Sequence, residues 1–243
     1  MSRRAVSPAG GLSARDRAVV ELVGKFRQLT SGHIRDCLFA DLASTTPLDR
    51  TLGRLVDRGY LARLERLIGG SRSGSGQFVY QLGRQGWKLL GRGGVYWTAQ
   101  AVNLHTLKIA DCYVALKQAE NENLTLIQFQ PEPDCHLDVD DVRLTPDAYV
   151  EIGYRADQTK QAMWLEVDRS TEHLGKLEAK CHRYQRALRL WKGDFFPSVW
   201  FVVLDRQRKS KVDAMVQSQE VPALFDVRVI EELGVDGTVT AGG

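Results

Sequence analysis

The sequence predicts a two-domain α+β chain on three observations: charge is unevenly distributed, the front half reads helix, helix, helix, hairpin, and the back half alternates strands with long helices. The chain has 243 residues, 43% hydrophobic and 26% charged, a globular composition with length enough for two small domains. Its formal net charge of +3 hides the asymmetry. Residues 1–100 carry 16 Lys and Arg against 7 Asp and Glu, whereas the remainder carries 17 against 23. A basic front half suits a polyanionic partner and an acidic back half does not, so two separate domains are expected. No apolar run reaches the ~20 residues of a membrane span, and MSRRAVSPAGG lacks the apolar centre of a signal peptide, so a cytoplasmic protein without a membrane partner is expected. Cys37, Cys112, Cys135 and Cys181 form no CxxC pair and read as reduced thiols.

In the front half, Leu12, Val19, Leu22, Val23 and Phe26 recur at helical spacing, with Ser13 as N-cap. LTSGHIRDCLF starts a second, short helix capped by Thr30 or Ser31. For a third helix, Thr46 as N-cap, Pro47 at the first helical position and Asp49 in the first turn agree on the start. Its Leu48, Leu52, Leu55 and Val56 form one apolar stripe, Asp49, Arg50, Gly53, Arg54 and Asp57 fall opposite, and Gly59 ends it. YLARLERLI and QFVYQL then read as strands joined by GGSRSGSG, followed by one or two helical turns in RQGWKLLGR.

In the back half, the pattern predicts a helix over Leu104–Ala119 and strands over Leu124–Gln130, Arg143–Ile152 and Gln161–Asp168. A helix carrying Leu174, Leu177, Cys181, Tyr184, Leu188 and Trp191 at gaps of three and four follows, then strand SVWFVVL, helix KSKVDAMVQSQ and strand FDVRVI. The order is αβββαβαβ. Asp138, Asp140 and Asp141 read as loop charge. Glu166 and Asp168, two residues apart on a strand, share a face. If the second and third strands form a hairpin, Asp147 lies beside them. Three crowded carboxylates repel by several kcal/mol at low dielectric unless neutralised. The alternatives are a divalent metal ion or a network with Arg169, Lys176, Lys180 or Arg183.

The front order resembles the winged helix-turn-helix DNA-binding domains, over residues 12–92. A third helix with an arginine-bearing outer face suits the major groove. Arg50 and Arg54, one turn apart, are candidates to read guanine edges or hold phosphates, with Thr46 at the helix start. Arg72 at the hairpin tip is a candidate for the minor groove or backbone, and Arg35 for positioning. Such domains also serve as protein docking modules. Residues 1–11 are expected to be a disordered N-terminus, 93–103 a linker, and 233–243 a disordered tail.

Residues 104–232 resemble the PD-(D/E)xK nuclease fold, with its αβββαβ core. By that resemblance Asp147 and Glu166 would bind Mg2+ and be catalytic. Asp168 occupies the place of the family's lysine, and Lys176 or Lys180 stands one or two turns along the next helix. The candidate catalytic set is therefore Asp147, Glu166, Asp168 and Lys180, with Asp147 and Glu166 as metal ligands.

Pro146 to Ala148, Leu165 to Glu172, and Lys180 with Tyr184 together resemble the replication-relaxation family encoded on bacterial plasmids and other mobile elements, over residues 12–205. The resemblance implies a double-stranded DNA-binding protein acting in replication, relaxation or mobilisation, or in transcription regulation of its element. Replication or mobilisation proteins are further expected partners, and a homodimer is expected because winged-helix proteins often read paired half-sites. DNA binding requires no cofactor on this reading, and Mg2+ enters only if the nuclease-like domain is not degenerate. The alternative is a Mg-dependent DNA endonuclease or nickase using Asp147 and Glu166. His33, His105, His136, His173 and His182 lack the spacing of a two-histidine relaxase.

Overall fold

The computed structural model describes residues 11–67, 77–170 and 173–233, with the side chains of 65–67 excepted. The chain is α+β and divides into two units, residues 1–103 and 104–243. Among the described residues no helix is long and apolar enough to cross a membrane.

In the first unit, α1 (Ala14–Phe26) begins where the Ser13 side chain accepts from the Asp16 N–H at 3.1 Å. Val19, Val20, Val23 and Phe26 are its buried stripe. A two-residue strand, β1 (Leu29–Thr30), leads into α2 (Ser31–Leu38). The cap of α2 is Thr30, whose hydroxyl accepts from the His33 N–H while His33 Nδ1 accepts from the Thr30 N–H, a reciprocal capping box.

Helix α3 (Thr46–Asp57) buries Leu48, Thr51, Leu52 and Leu55, and leaves Asp49, Arg50, Gly53, Arg54 and Asp57 exposed. Val56, expected in the stripe, is only half-buried. Thr46 is the first residue of the helix rather than its cap: Thr45 precedes it, without a side-chain capping bond. Pro47 then sits second and has no N–H, which removes one of the two donors that a cap would satisfy. At the other end the Gly59 N–H bonds the Val56 carbonyl and the Tyr60 N–H the Leu55 carbonyl, with Gly59 at φ +70°. This left-handed cap suits glycine and stops the helix.

β2 (Leu61–Leu67) and β3 (Gln77–Leu82) pair antiparallel, and β1 adds to the free side of β3, so the sheet order is β1-β3-β2. The short α4 (Arg84–Leu89) follows. β1 escaped the sequence reading because two residues carry no period. The tip GGSRSGSG, with Arg72, lies outside the described residues.

The second unit opens with α5 (Leu104–Gln118), which packs against a five-stranded sheet. Its strands are β4 (Leu124–Pro131), β7 (Ala148–Tyr154), β8 (Thr159–Asp168), β9 (Ser198–Val203) and β10 (Phe225–Val229), in the order β10-β9-β8-β7-β4. β4, β7 and β8 run antiparallel; β9 and β10 are parallel additions reached through α6 (Leu174–Leu190) and α7 (Arg206–Gln217). Trp164 of β8 joins one core cluster with Leu177, Tyr184, Phe201 and Val212, while Met163, Leu165 and Val167 are buried outside that cluster. That division follows the period of two along the strand.

The strand expected over 143–152 is two strands. β5 (Leu137–Val139) and β6 (Val142–Leu144) form a separate hairpin turned at Asp140, with φ 55°, and β7 begins only at Ala148. Pro146 cannot donate to a ladder, so pairing breaks before it. Asp138, expected in a loop, lies in β5 opposite Arg143, 2.5 Å from its guanidinium.

Candidate functional site

Register brings the predicted acids together. Asp147 immediately precedes β7, and its N–H bonds the Leu165 carbonyl, which sets Asp147 beside Glu166 on β8. All three acids are buried: Asp147 is 5% exposed, Glu166 3% and Asp168 2%. Buried charge needs a partner, and each acid has one.

Asp147 Oδ2 accepts from the Val167 N–H at 2.6 Å, and its Oδ1 lies 2.8 Å from His105 Nε2 on the first turn of α5. With the carboxylate oxygen as acceptor, the imidazole Nε2–H donates. That hydrogen bond raises the His105 pKa above its ordinary value against the opposing effect of burial. Glu166 Oε2 accepts from Lys180 Nζ at 2.8 Å and its Oε1 from the Tyr184 hydroxyl at 2.7 Å. Lys180 and Tyr184 are four residues apart on α6, one turn, so both reach the same carboxyl. Burial, reinforced by the Asp147 charge, still pushes the Glu166 carboxyl up to about 7.

Asp168 shares the buried strand end but faces a different partner: Arg208 Nε, from the first turn of α7, donates to Oδ2, and the Ser170 N–H donates to Oδ1. The sequence reading named Lys180 among the basic partners, whereas Tyr184 entered it only in the apolar stripe of its helix and in the motif of the family resemblance. It missed His105 and Arg208, which lie 42 and 40 residues from their acids, and a single chain's local pattern carries no sign of such pairs. Of the basic partners proposed from sequence for the acid pair, Lys180 is placed on Glu166 and Arg208 stands where Arg169, Lys176 or Arg183 was expected.

As arranged, the acids are held by protein hydrogen bonds. Every oxygen of Asp147 and Glu166 accepts a hydrogen bond, with His105 on the first acid and Lys180 and Tyr184 on the second. Among the described residues no group of three or more His, Cys, Asp or Glu side chains could hold a metal.

In the first unit the candidate DNA-binding residues separate. Arg50 lies on the exposed face of α3, with no ion pair among the described residues. Arg54, one turn on, donates from its NH2 to Asp16 Oδ1 at 2.6 Å and to the Thr51 hydroxyl at 3.3 Å, so it ties α3 to α1. Asp16 is buried and Arg54 is 45% exposed. Arg35 pairs with its neighbour Asp36 at 2.8 Å, and the exposed Thr46 side chain contacts the Ser44 hydroxyl. Arg72 lies outside the described residues.

An α+β chain of two units, one basic in overall charge with an arginine-bearing exposed helix face and the other burying an acid cluster paired to basic side chains, is the class of protein that these features define. The sequence matches the replication-relaxation family over residues 20–199 of 243, and the chain belongs to that family. No curated protein and no solved structure matches it.

Proposed function

We propose that the protein binds double-stranded DNA in the replication, relaxation or mobilisation of a plasmid or mobile element, or in its transcriptional control. In this reading residues 12–92 form a winged helix-turn-helix. Residues 104–232 form a PD-(D/E)xK-like domain whose acids hold the fold. The observation that carries the proposal is the exposed face of α3: Arg50 is unpaired among the described residues, above a buried leucine stripe, in a half of the chain with nine surplus positive charges. A helix so divided can enter the major groove while its other face stays packed. The chain is expected to act as a homodimer on half-sites about one helical turn apart.

The test is fluorescence anisotropy with duplex fragments of the element's own origin and promoter. Arg50→Ala should weaken binding by about 1–3 kcal/mol if Arg50 reads a base; unchanged binding overturns the groove assignment. Supercoiled plasmid incubated with Mg2+ or Mn2+, beside EDTA and the Asp147→Ala, Glu166→Ala double variant, tests the second unit. Metal-dependent nicking lost in the variant would make this a nuclease; duplex retardation without product is the expected result.

A further inference from the structure

We propose that the second unit carries a nucleobase pocket, formed where β4, the segment leading into β5, β7 and β8 meet the residues that follow α6, that seats one base of a nucleotide while its phosphate rests on the arginines of α6. The site is separate from α3 and from the buried acids, and does not depend on the reading of either.

A cavity of about 340 Å3 is lined by His136, Leu137, Tyr149, Trp164, Trp191 and Phe195, among others. Its walls are aromatic, as a stacked base requires. Trp164, Trp191 and Phe196 pack edge to face, with centroids 4.8–6.5 Å apart, which fixes the Trp191 ring against the core. Phe195, beside them, is 60% exposed, an unusual position for a large apolar ring.

Two lining residues carry unsatisfied polar atoms. Trp191 Nε1 and His136 Nε2 are buried and have no hydrogen-bond partner; the nearest acid oxygen to the latter, on Glu132, is 4.0 Å away. Buried donors without partners are rare and costly. Gly193 packs closely on the indole edge, where a Cβ would stand 2.8 Å from Nε1.

The charge beside the cavity agrees. On the other strand of the β5–β6 hairpin, a groove of about 460 Å3 is lined by Arg143, His182, Arg183 and Arg186, with Asp141. Arg143 and Arg186 pair with the exposed Asp138 and Asp141, while Arg183 has no ion pair among the described residues. Arg186 lies five residues before Trp191, about 7.5 Å along a helix axis. A basic groove next to an aromatic platform is the combination that holds single strands.

The experiment measures anisotropy of a labelled single-stranded oligonucleotide of about 15 nucleotides, the same length made of abasic sugar-phosphate, and a nucleoside monophosphate as competitor. It uses the full chain with Phe195→Ala and Arg183→Ala, both exposed positions whose loss leaves the core intact. Expected are tight binding of the base-bearing strand, weaker binding of the abasic strand, and about a tenfold or greater loss in Phe195→Ala, the size that base stacking carries. Competition by the monophosphate at matching affinity, with the same loss in Phe195→Ala, identifies the occupant as a free nucleotide. Equal binding of the abasic and base-bearing strands, or no effect of Phe195→Ala, overturns the pocket. Arg50→Ala, measured alongside, should change duplex binding alone, so failure of one site is distinguishable from failure of the other.

Discussion

At the scale of the residue, Glu166 is the most consequential side chain of the second unit. Folded, it keeps its proton up to about pH 7; unfolded, it releases it near 4.5. The folded state therefore binds more protons between those values, and stability falls as pH rises through that window. The stabilising contribution is complete below pH 4.5 and gone above about 7. His105, raised above 6.5, adds a slope of the same sign at higher pH. Denaturant midpoints measured across the window should decline for the native chain and stay flatter for Glu166→Gln; identical slopes would show that the carboxyl titrates normally.

Asp168 gives a sharper test. Its side chain is fully buried and that of Arg208 is 13% exposed, so Arg208→Ala leaves a charge with no water and no cation. A loss of about 3–5 kcal/mol in chemical denaturation is expected, against less for an Arg208→Lys variant that keeps the charge. The Asp168–Arg208 pair was not legible beforehand. The acid cluster showed in the sequence because Glu166 and Asp168 share a strand period, but the identity of their partners depends on which helices cross that strand end.

At the scale of the element, the helices were the most legible parts. α1, α3 and α6 carry long apolar stripes and punctuation such as Ser13 and Gly59, and all three occur where the pattern placed them. The β5–β6 hairpin and β1 were not legible, since three residues or fewer cannot show a period and tertiary pairing alone creates them. The capping box of α2 yields a prediction at this scale: Thr30→Ala should cost about 1 kcal/mol by thermal or chemical melting, because it releases the His33 N–H inside a buried turn. The neighbouring α3 separates its two arginines. Arg54→Ala strands a buried Asp16, and because Arg54 is 45% exposed the cost is discounted to about 1–2 kcal/mol of stability; Arg50→Ala should leave stability unchanged within about 0.5 kcal/mol.

At the scale of the whole molecule, charge partition is the organising fact: the positive surplus lies in the first hundred residues and the negative surplus in the rest. Duplex affinity should therefore fall linearly on a log–log plot against salt, and removing one phosphate-contacting arginine should reduce the slope by about one. A salt-independent affinity would contradict a backbone-driven contact. Partition also explains why composition separated the halves at a distance while the interior of the second could not be read: net charge is a sum over residues, whereas a buried network is a set of particular pairs.

The Arg54 to Asp16 pair has a consequence for how α3 meets a ligand. A long side chain surrenders about 2 kcal/mol of rotamer freedom when it is immobilised. For Arg54 that surrender is made during folding, when its guanidinium is fastened to α1. Any group touching its remaining N–H atoms meets a donor already held still. Arg50, one turn earlier, must be ordered by the ligand itself. If α3 enters the major groove as proposed, it would present one rigid contact and one adaptable one, and tolerance for imperfect targets would reside in the second.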